Sequence, residues 1–344
     1  MRKWQNHSKE ERIAIIQAVS ADRNIEDNAV EKDWWVTVVL KALFNTSIKD
    51  YGRFKGGTSI SKGWDLINRF SEDVDISINR EFFLNELKLS CAKCENNNQT
   101  KNLCKASRDF IHGTLSQELD KELKSLGVTG YGIENVVTVG NPPKPIDHDS
   151  DPTILYVNYE SVLPTSVRRI DARVKIEISC LSMSEPFEEK TITSLIYDKF
   201  PEEDDETVST ISTVTPSRTF LEKVFLLNEE FQKDKPRSMR MSRHLYDLDK
   251  IMDTEYGKQA LEDEELYRAI VERRRKFYHL GYVDYDKDYP KSINFIPDGE
   301  LLKAFRNDYE TNMVDGYIYG EAKPFNDLLA RMKELQDMFR QLHV

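Results

Sequence analysis

The stretch that decides the fold is FKGGTSISKGWDLINRFSEDVDIS, which runs from Phe54 to Ser77. It predicts a short strand over Arg53–Lys55, a break at a pair of glycines, and a helix over Thr58–Ile67 with Thr58 near its N-cap. The stretch ends on DVDIS, and together with Ile78 these polar and apolar residues alternate with the period of a half-buried strand. The pattern therefore predicts a strand, a glycine turn, a helix and a second strand in close succession.

Two carboxylates of the second strand are the first candidates for chemistry. Asp73 and Asp75 are separated by one residue. Alternate side chains of a strand point to the same face, so the two aspartates project together. Two like charges this close repel each other, and a divalent cation is the natural compensation. Mg²⁺ is commonly held by one or two carboxylates plus the phosphates of a substrate.

A third acid lies in another alternating run, Ala172–Cys180, which reads ARVKIEISC. If this strand lies beside the first, Glu177 can join the aspartates in a site for two metals. Lys175 shares its face and reduces the crowding of negative charge. A glycine turn beside a hydroxyl, two metal-binding aspartates and a third acid that activates a hydroxyl together describe a nucleotidyltransferase site. An acidic pair alone is weak evidence, because solvent-facing strand positions are often acidic.

Composition narrows the class of protein. The chain has 344 residues, 39% of them hydrophobic, and a net charge of −11. This excludes a disordered chain and disfavours a protein that coats nucleic acid, although it allows a local basic cleft. There is no run of about 18 apolar residues and no apolar signal-peptide core near the N-terminus, so we expect no membrane association and a cytoplasmic location. Four cysteines do not indicate a disulfide framework.

The rest of the chain indicates an α+β fold. Strand-like runs at 132–139, 153–159 and 172–180 can complete one small mixed sheet, flanked by helices such as the one that Ser8 and Glu11 open with capping-box spacing. After about residue 215 the pattern becomes helical. We expect a nucleotidyltransferase domain over residues 1–214 with N-terminal helices, followed by a helical domain over residues 215–344.

The first motif resembles that of the AbiEii-type nucleotidyltransferase toxins, which include the MenT toxins and belong to the DNA polymerase β-like superfamily. The similarity lies in Gly56-Gly57-Thr58 followed by the run from Arg69 to Asp75, RFSEDVD. Three weaker similarities follow in the family's order. They are Lys175-Ile-Glu177, with Glu where the family has Asp; the helix with Glu222-Lys223; and the helix with Arg243, Tyr246, Asp247 and Leu248.

The resemblance implies roles for these positions. Asp73, Asp75 and Glu177 would bind Mg²⁺, and Glu177, which is one methylene longer than the family's Asp, could still reach the metal. Gly56, Gly57, Thr58, Arg69, Ser71 and Lys175 would bind the nucleoside triphosphate (NTP). Lys223 would contact its phosphates, and Asp247 would orient that lysine or the base. From the residues alone, Lys223 and Asp247 could equally form an ordinary salt bridge, Arg69 could pair with an acid such as Glu72, and Lys62 could face solvent.

Three other features leave alternatives open. Cys91, Cys94, Cys104 and His112 have spacing compatible with zinc or with unrelated thiols. Two basic runs, 235–243 and 268–277, could contact nucleic acid or be solvated helix faces. The aromatic stretch FYHLGYVDYDKDYP could stack on bases or pack on the helical domain.

The resemblance implies an Mg²⁺-dependent toxin that transfers a nucleoside monophosphate (NMP) from an NTP to RNA, in particular the 3′ end of tRNA. It also implies a role in growth arrest or phage defence and a cognate antitoxin as partner. Two alternatives remain: transfer to a protein, which the acidic net charge also fits, and a nucleotide-binding module without turnover.

Overall fold

The computed structural model of the chain describes residues 3–164 and 170–343. The chain divides into two compact units. The first consists of Met1–Gly63 and Glu72–Thr213, and the second of Trp64–Ser71 and Val214–Val344. The sequence-based boundary at 214 and 215 did not anticipate that Trp64–Ser71 belongs with the second unit. No helix among the described residues is long and apolar enough to cross a membrane.

The first unit contains a mixed sheet and seven α-helices within its described residues. The helices are α1 (Lys9–Arg23), α2 (Asp27–Leu43), α3 (Gly56–Lys62), α4 (Arg80–Asn85), α5 (Asn97–Phe110), α6 (Ser116–Ser125) and α7 (Leu195–Lys199). The strands are β1 (Gly52–Lys55), β2 (Asp73–Ile78), β3 (Tyr131–Asn135), β4 (Thr138–Val139), β5 (Lys144–Pro145), β6 (Thr153–Tyr159), β7 (Arg173–Ser179), β8 (Phe187–Ile192) and β9 (Ser209–Val214). Short 3₁₀ turns occur at Trp4–Asn6 and Ser90–Lys93, and a π-helix at Ile111–Leu115.

Seven of these strands form one sheet in the order β3-β6-β7-β2-β1-β9-β8 within the part of the chain that the structure describes. β2 lies at its centre, antiparallel to β1 and parallel to β7. β4 and β5 pair separately. The core side chains alternate along the strands, as Val74, Ile76 and Ile176 illustrate with 0% exposure. The predicted α+β class with a mixed sheet and flanking helices is confirmed.

The first two helices pack against each other, and α2 also contacts β2 and β7 of the sheet. α1 begins with a complete capping box, in which the Ser8 hydroxyl accepts from the Glu11 N–H and the Glu11 carboxylate accepts from the Ser8 N–H. α2 is apolar on most sides and almost wholly buried, as expected of a core helix. One of its buried polar side chains, Lys32, pairs with Glu72 at 3.2 Å and donates to the Asp171 carbonyl at 3.1 Å.

The second unit is helical. Its elements are α8 (Pro216–Glu230), α9 (Ser242–Met252), α10 (Glu255–Glu262), α11 (Glu264–Phe277), α12 (Gly299–Asp308), α13 (Phe325–Arg340), a 3₁₀ turn at Tyr285–Asp288 and a π-helix at Tyr309–Tyr317. The helical pattern over residues 258–277 belongs to two helices, α10 and α11. They separate at Asp263, whose carboxylate accepts from the Leu266 N–H at 2.8 Å and caps α11.

One predicted element of the deciding stretch has the wrong bounds. The helix expected over Thr58–Ile67 is α3, which begins at Gly56 and ends at Lys62. Its N-cap is Lys55 rather than Thr58, and the chain turns away after Gly63 with a positive φ at Asp65. The Thr58 hydroxyl instead donates to the Asp73 carbonyl at 2.5 Å, which ties α3 to β2.

Candidate active site

The three predicted acids lie together on adjacent strands of the first unit. In the parallel pairing of β2 with β7, Asp73 is opposite Lys175 and Asp75 is opposite Glu177. All four side chains share one face of the sheet because the residues are spaced by two along each strand. The face opposite carries the buried Val74 and Ile76. The clustering predicted from period two is therefore present in the register of the strands.

Lys175 and Glu177 form a close ion pair on this face, with 2.6 Å between Nζ and Oε1. Burial would raise the pKa of Glu177, but the Lys175 charge and hydrogen bonds from Lys175 and Asp75 outweigh burial and lower it. Burial would likewise lower the pKa of Lys175, and the charges of Glu177 and Asp73 raise it instead. Glu177 is consequently a carboxylate near neutral pH.

The pKa of Asp75 shifts in the opposite direction to that of Glu177. Its pKa is raised to about 7, chiefly by burial and then by the negative charges of Glu177 and Asp73, while Lys55 opposes the shift. The Asp75 carboxyl also shares a hydrogen bond with Glu177, which favours its protonated form. The site therefore carries more negative charge than its own lysines compensate, and a bound cation would favour ionisation of Asp75.

Gly56 is fitted to this carboxyl. Its φ of +81° lies in the left-handed region that favours glycine. A Cβ at this position would lie 2.2 Å from Oδ2 of Asp75, so a side chain here would displace the carboxyl. The glycine that the sequence singled out thus has a steric reason: it leaves the space that the Asp75 side chain occupies.

Lys55 is a candidate that the sequence reasoning missed. It is opposite Asp75 in the antiparallel pairing of β1 with β2, and its charge acts on Asp75, Glu177 and the buried carboxyl of Asp151. The available signal was its position immediately before the glycine pair. A strand that ends there, paired with DVDISI, has to present its last residue beside the aspartates.

The oxygen donors on this face decide whether a metal ion would fit. Among the described residues, no group of three or more His, Cys, Asp or Glu side chains has the arrangement of a metal cluster. Glu177 is engaged by Lys175, and Asp73 and Asp75 place two further carboxylates on the same face. A pair of carboxylates fits Mg²⁺, which normally takes its other ligands from water and substrate phosphates. A cation beside Asp75 would also offset the negative charges that raise its pKa.

A second constellation lies in the second unit, where Asp247 of α9 lies between two cations. Arg69 binds it through both carboxylate oxygens, at 2.6 Å and 2.8 Å, and Lys223 of α8 lies 2.8 Å from Oδ2. Asp247 has 0% exposure. Burial would raise its pKa, but the charges of Arg69 and Lys223 outweigh burial and hold the pKa well below its usual range. The predicted Lys223–Asp247 contact is present, and it is buried rather than exposed.

Three further residues that the sequence analysis singled out have the following surroundings in the structure. Arg69 pairs with Asp247 rather than with Glu72, whose partner is Lys32. Lys62 does not face solvent as an independent cation but pairs with Asp33 at 2.5 Å. Ser71 is half-buried at the end of the segment that carries Arg69.

His244 is buried beside Lys223 and Arg243, and burial followed by those two charges lowers its pKa well below the usual range. The ring is therefore neutral near pH 7.

The zinc alternative has no support among the described residues. Cys91, Cys94 and Cys104 are free thiols, and no metal cluster includes them. His112 instead has its Nε2 3.3 Å from the Ile154 carbonyl oxygen. The spacing that suggested zinc belongs to a 3₁₀ turn, Ser90–Lys93, whose C-cap is Cys94.

Known proteins share features of this sequence and fold. Residues 39–331 match the model of the family described as nucleotidyl transferase AbiEii toxin, type IV toxin–antitoxin system. Among solved structures, the chain is similar to MenT4, a nucleotidyltransferase toxin (Rv2826c) from Mycobacterium tuberculosis H37Rv. The TM-score is 0.52 at 15% sequence identity, and the match covers 98% of this chain and 91% of that one. No curated protein matches.

The structural similarity supports the fold alone, because the identity is low. The family match extends over most of the chain and includes β2, β7, α8 and α9 with their candidate residues. The chain belongs to the AbiEii family of nucleotidyltransferase toxins, which are the toxins of toxin–antitoxin systems.

Proposed function

We propose that this enzyme transfers an NMP from an NTP to the 3′ end of an RNA, with tRNA as the acceptor, in an Mg²⁺-dependent reaction. The observation that carries the proposal is the set of acids on β2 and β7. Asp73, Asp75 and Glu177 share one face of the sheet, where burial and then the charges of Glu177 and Asp73 raise the pKa of Asp75 to about 7. A metal ion bound with the triphosphate would supply the positive charge that this group of acids favours.

Asp73 and Asp75 are the residues that would hold Mg²⁺, with Glu177 as a further oxygen donor beside them. When bound, the metal would neutralise charge on the phosphates and polarise the phosphorus that is attacked. Gly56, Gly57 and Thr58 belong to this site by the family resemblance. The support from geometry is that Gly56 lies against the Asp75 carboxyl and Thr58 is bonded to the backbone of Asp73.

The proposed chemistry forms one bond and breaks one. The acceptor hydroxyl oxygen bonds to the α-phosphorus, and the bond from that phosphorus to the leaving pyrophosphate breaks. The hydroxyl proton passes to a carboxylate, and Glu177 is the candidate base because Lys175 keeps it ionised. Lys175 positions the base and limits the repulsion among the three acids.

The same resemblance assigns Lys223 to the phosphates and Asp247 to the orientation of that lysine or of the base. Asp247 is shared by Lys223 and Arg69, so the group has one positive charge more than it has negative charge. A phosphate oxygen is a suitable partner for such a surplus, and a lysine ammonium is a compact charge for it. Ser71, beside Arg69 in sequence, is retained as a candidate contact of the nucleotide.

The biological setting follows from the family. We infer that the reaction arrests growth, that it serves phage defence in the cytoplasm, and that a separately encoded antitoxin is the protein partner. A protein is the second candidate acceptor, because the net charge of −11 disfavours broad attraction of nucleic acid.

The test is the transfer of label from each α-labelled NTP, with Mg²⁺, into total tRNA and into total protein. The proposal expects label in tRNA, one preferred nucleotide, and loss of label in the Asp75→Ala variant. Label in protein alone would contradict the RNA acceptor. Label in neither, with the nucleotide still bound, would contradict the transferase reaction and indicate a binding module.

A further inference from the structure

A basic loop in the second unit connects α8 to α9. Residues 233–243 read KDKPRSMRMSR, with five basic side chains and one acid, in a chain of net charge −11. Lys235, Arg237, Met239 and Arg240 are exposed, and Met239 is 78% exposed despite its apolar side chain. Lys233 and Arg237 both contact one oxygen of Glu230, each at 2.8 Å, so the loop retains excess positive charge.

The other basic run differs in this respect. On α11, Arg274 forms a buried pair with Glu229 through both oxygens, and Arg275 pairs with Asp286 at 2.6 Å. Arg268 lies 3.5 Å from Glu264 in the same helix. The basic side chains at 268–277 are therefore largely engaged in ion pairs within the unit. This agrees with the alternative in which the run is a helix face that does not contact nucleic acid. The loop at 233–243 is the stronger candidate for an external anion because three of its cationic side chains, Lys235, Arg237 and Arg240, are exposed close together in sequence.

The loop is held in a defined conformation. Arg240 has a φ of +60°, which is unusual for a residue with a side chain. Its N–H donates to Asp308 at 2.6 Å, and the Ser242 N–H donates to the other carboxylate oxygen at 3.0 Å. Asp308 thus fixes the turn that exposes the Arg240 side chain. Strained backbone of this kind is concentrated at functional sites.

An aromatic ring lies beside Arg240. The guanidinium carbon is 5.4 Å from the ring centroid of Tyr317, which is the last residue of the π-helix. Tyr317 also stacks on Phe70, with 6.3 Å between centroids and 14° between the rings. The residue before Phe70 is Arg69, which binds Asp247. Within the second unit, the Arg240 guanidinium therefore lies beside the Tyr317 ring, and Tyr317 stacks on Phe70. Phe70 is the chain neighbour of Arg69, which binds Asp247.

We propose that Lys235, Arg237, Met239, Arg240 and Tyr317, the basic loop surface, bind the single-stranded end of the RNA acceptor. Nucleotide phosphates contact the basic side chains, and an unpaired base stacks on Tyr317 beside Arg240. Single-stranded nucleic acid is bound in this way, by a positive track with aromatic faces for the bases. The inference rests on the RNA acceptor of the proposed function and adds the surface that recognises it.

The charge contribution is tested by binding, without any NTP. The probe is a fluorescent single-stranded RNA of 12 nucleotides, titrated with the full chain at several salt concentrations. Removing one cation that binds a phosphate makes the slope of log K against log salt shallower by about 0.7, so Lys235→Gln with Arg240→Gln should make it shallower by about 1.4. The matched control, Arg268→Gln with Lys276→Gln, removes two charges from the other basic run and should leave the slope unchanged.

The stacking contribution is tested at Tyr317. Tyr317→Ala should weaken binding roughly 5- to 150-fold, the value of one stacked base, while Tyr317→Phe should bind within about twofold of the parent chain. A thermal unfolding curve for each variant identifies one that fails to fold, and the phenylalanine variant retains the ring against Phe70. The same RNA in a blunt duplex should bind more weakly.

Two results would overturn the inference. One is an equal change of slope in the loop pair and the control pair, and the other is equal binding by Tyr317→Ala and Tyr317→Phe. Either result would leave the transferase proposal intact if label still enters tRNA and depends on Asp75. Conversely, loss of transfer in Asp75→Ala with normal RNA binding would support both proposals separately.

Discussion

Asp247 is fully buried and Asp75 is half-buried, and their surroundings push the pKa values of the two carboxyl groups in opposite directions. Asp75 is beside Glu177 and Asp73, and its pKa is raised to about 7 by burial and by these charges. Asp247 is bound by Arg69 and Lys223, which hold its pKa well below the usual range. Burial acts on both in the same direction, so the difference comes from the neighbours.

The comparison shows which kind of ligand suits each centre. The group on β2 and β7 has three carboxylates near two lysines, and a cation would relieve its repulsion. The group around Asp247 has two cations on one carboxylate, and an anion would balance it. A metal ion and the phosphates of a nucleotide are ligands of these two kinds. Each centre by itself therefore suits one part of the proposed substrate complex.

The largest expected effect is on transfer, in Asp75→Asn. Loss of a metal-binding carboxylate should remove several kcal/mol of transition-state stabilisation, which lowers the rate at least about a thousandfold. The fold should survive, because Asp75 has a folded-state pKa above its unfolded value. Keeping it ionised above pH 7 costs stability that asparagine does not cost. Label transfer measures the rate, and urea unfolding at pH 8 measures the stability. A normal transfer rate, or a variant that is unfolded, would contradict the different roles given to Asp75 and Asp247.

The second effect is on stability, in Asp247→Asn. Removing this negative charge leaves Arg69 and Lys223 buried without their shared partner, which should lower the free energy of unfolding by about 3–5 kcal/mol. Lys223→Met is the matched variant: it keeps the Arg69–Asp247 pair, and we expect a loss below about 1 kcal/mol together with weaker NTP binding. Equal stability of the two variants in urea would show that Asp247 is not the centre of this group.

A smaller effect sharpens the account of the first centre. Gly56→Ala adds a Cβ 2.2 Å from the Asp75 carboxyl at a positive φ, and the backbone strain alone is worth about 1–2 kcal/mol. The loss of transition-state stabilisation, measured from the transfer rate, should exceed the loss of free energy of unfolding, since the displaced carboxyl is a metal ligand in the proposal. The control is Gly113→Ala, where a Cβ would meet nothing within 4 Å. Similar transfer rates in the two variants would show that the space beside Asp75 does not depend on glycine at position 56.

Local patterns predicted much of the fold. β2 at Asp73–Ile78 and β6 at Thr153–Tyr159 have the bounds that their sequence patterns indicated. β8 and β9 were missed, because FEEKTI and STISTV carry polar residues that hide the apolar alternation. Their conformation depends on pairing at one side of the sheet, and a window of sequence contains no information about that pairing.

The same limit applies to the two centres. Period two was sufficient to place Asp73 with Asp75 and Lys175 with Glu177, and only the adjacency of the strands had to be assumed. The partner of Arg69 is 178 residues away, so Glu72 was a reasonable but wrong candidate. α3 ends early for a related reason: the Trp64 indole donates to the Val214 carbonyl at 3.0 Å, a contact across 150 residues.

The central claim is that the Asp75 carboxyl is ionised when it binds Mg²⁺ with the nucleotide. The most direct measurement is calorimetric titration of Mg²⁺ into the chain with a non-hydrolysable NTP, at pH 6 and pH 8. A pKa of about 7 leaves roughly a tenth of Asp75 ionised at pH 6 and nine tenths at pH 8, so affinity should rise about tenfold. Asp75→Asn should bind weakly at both values. Equal affinity at the two pH values, or full affinity in the variant, would contradict the claim.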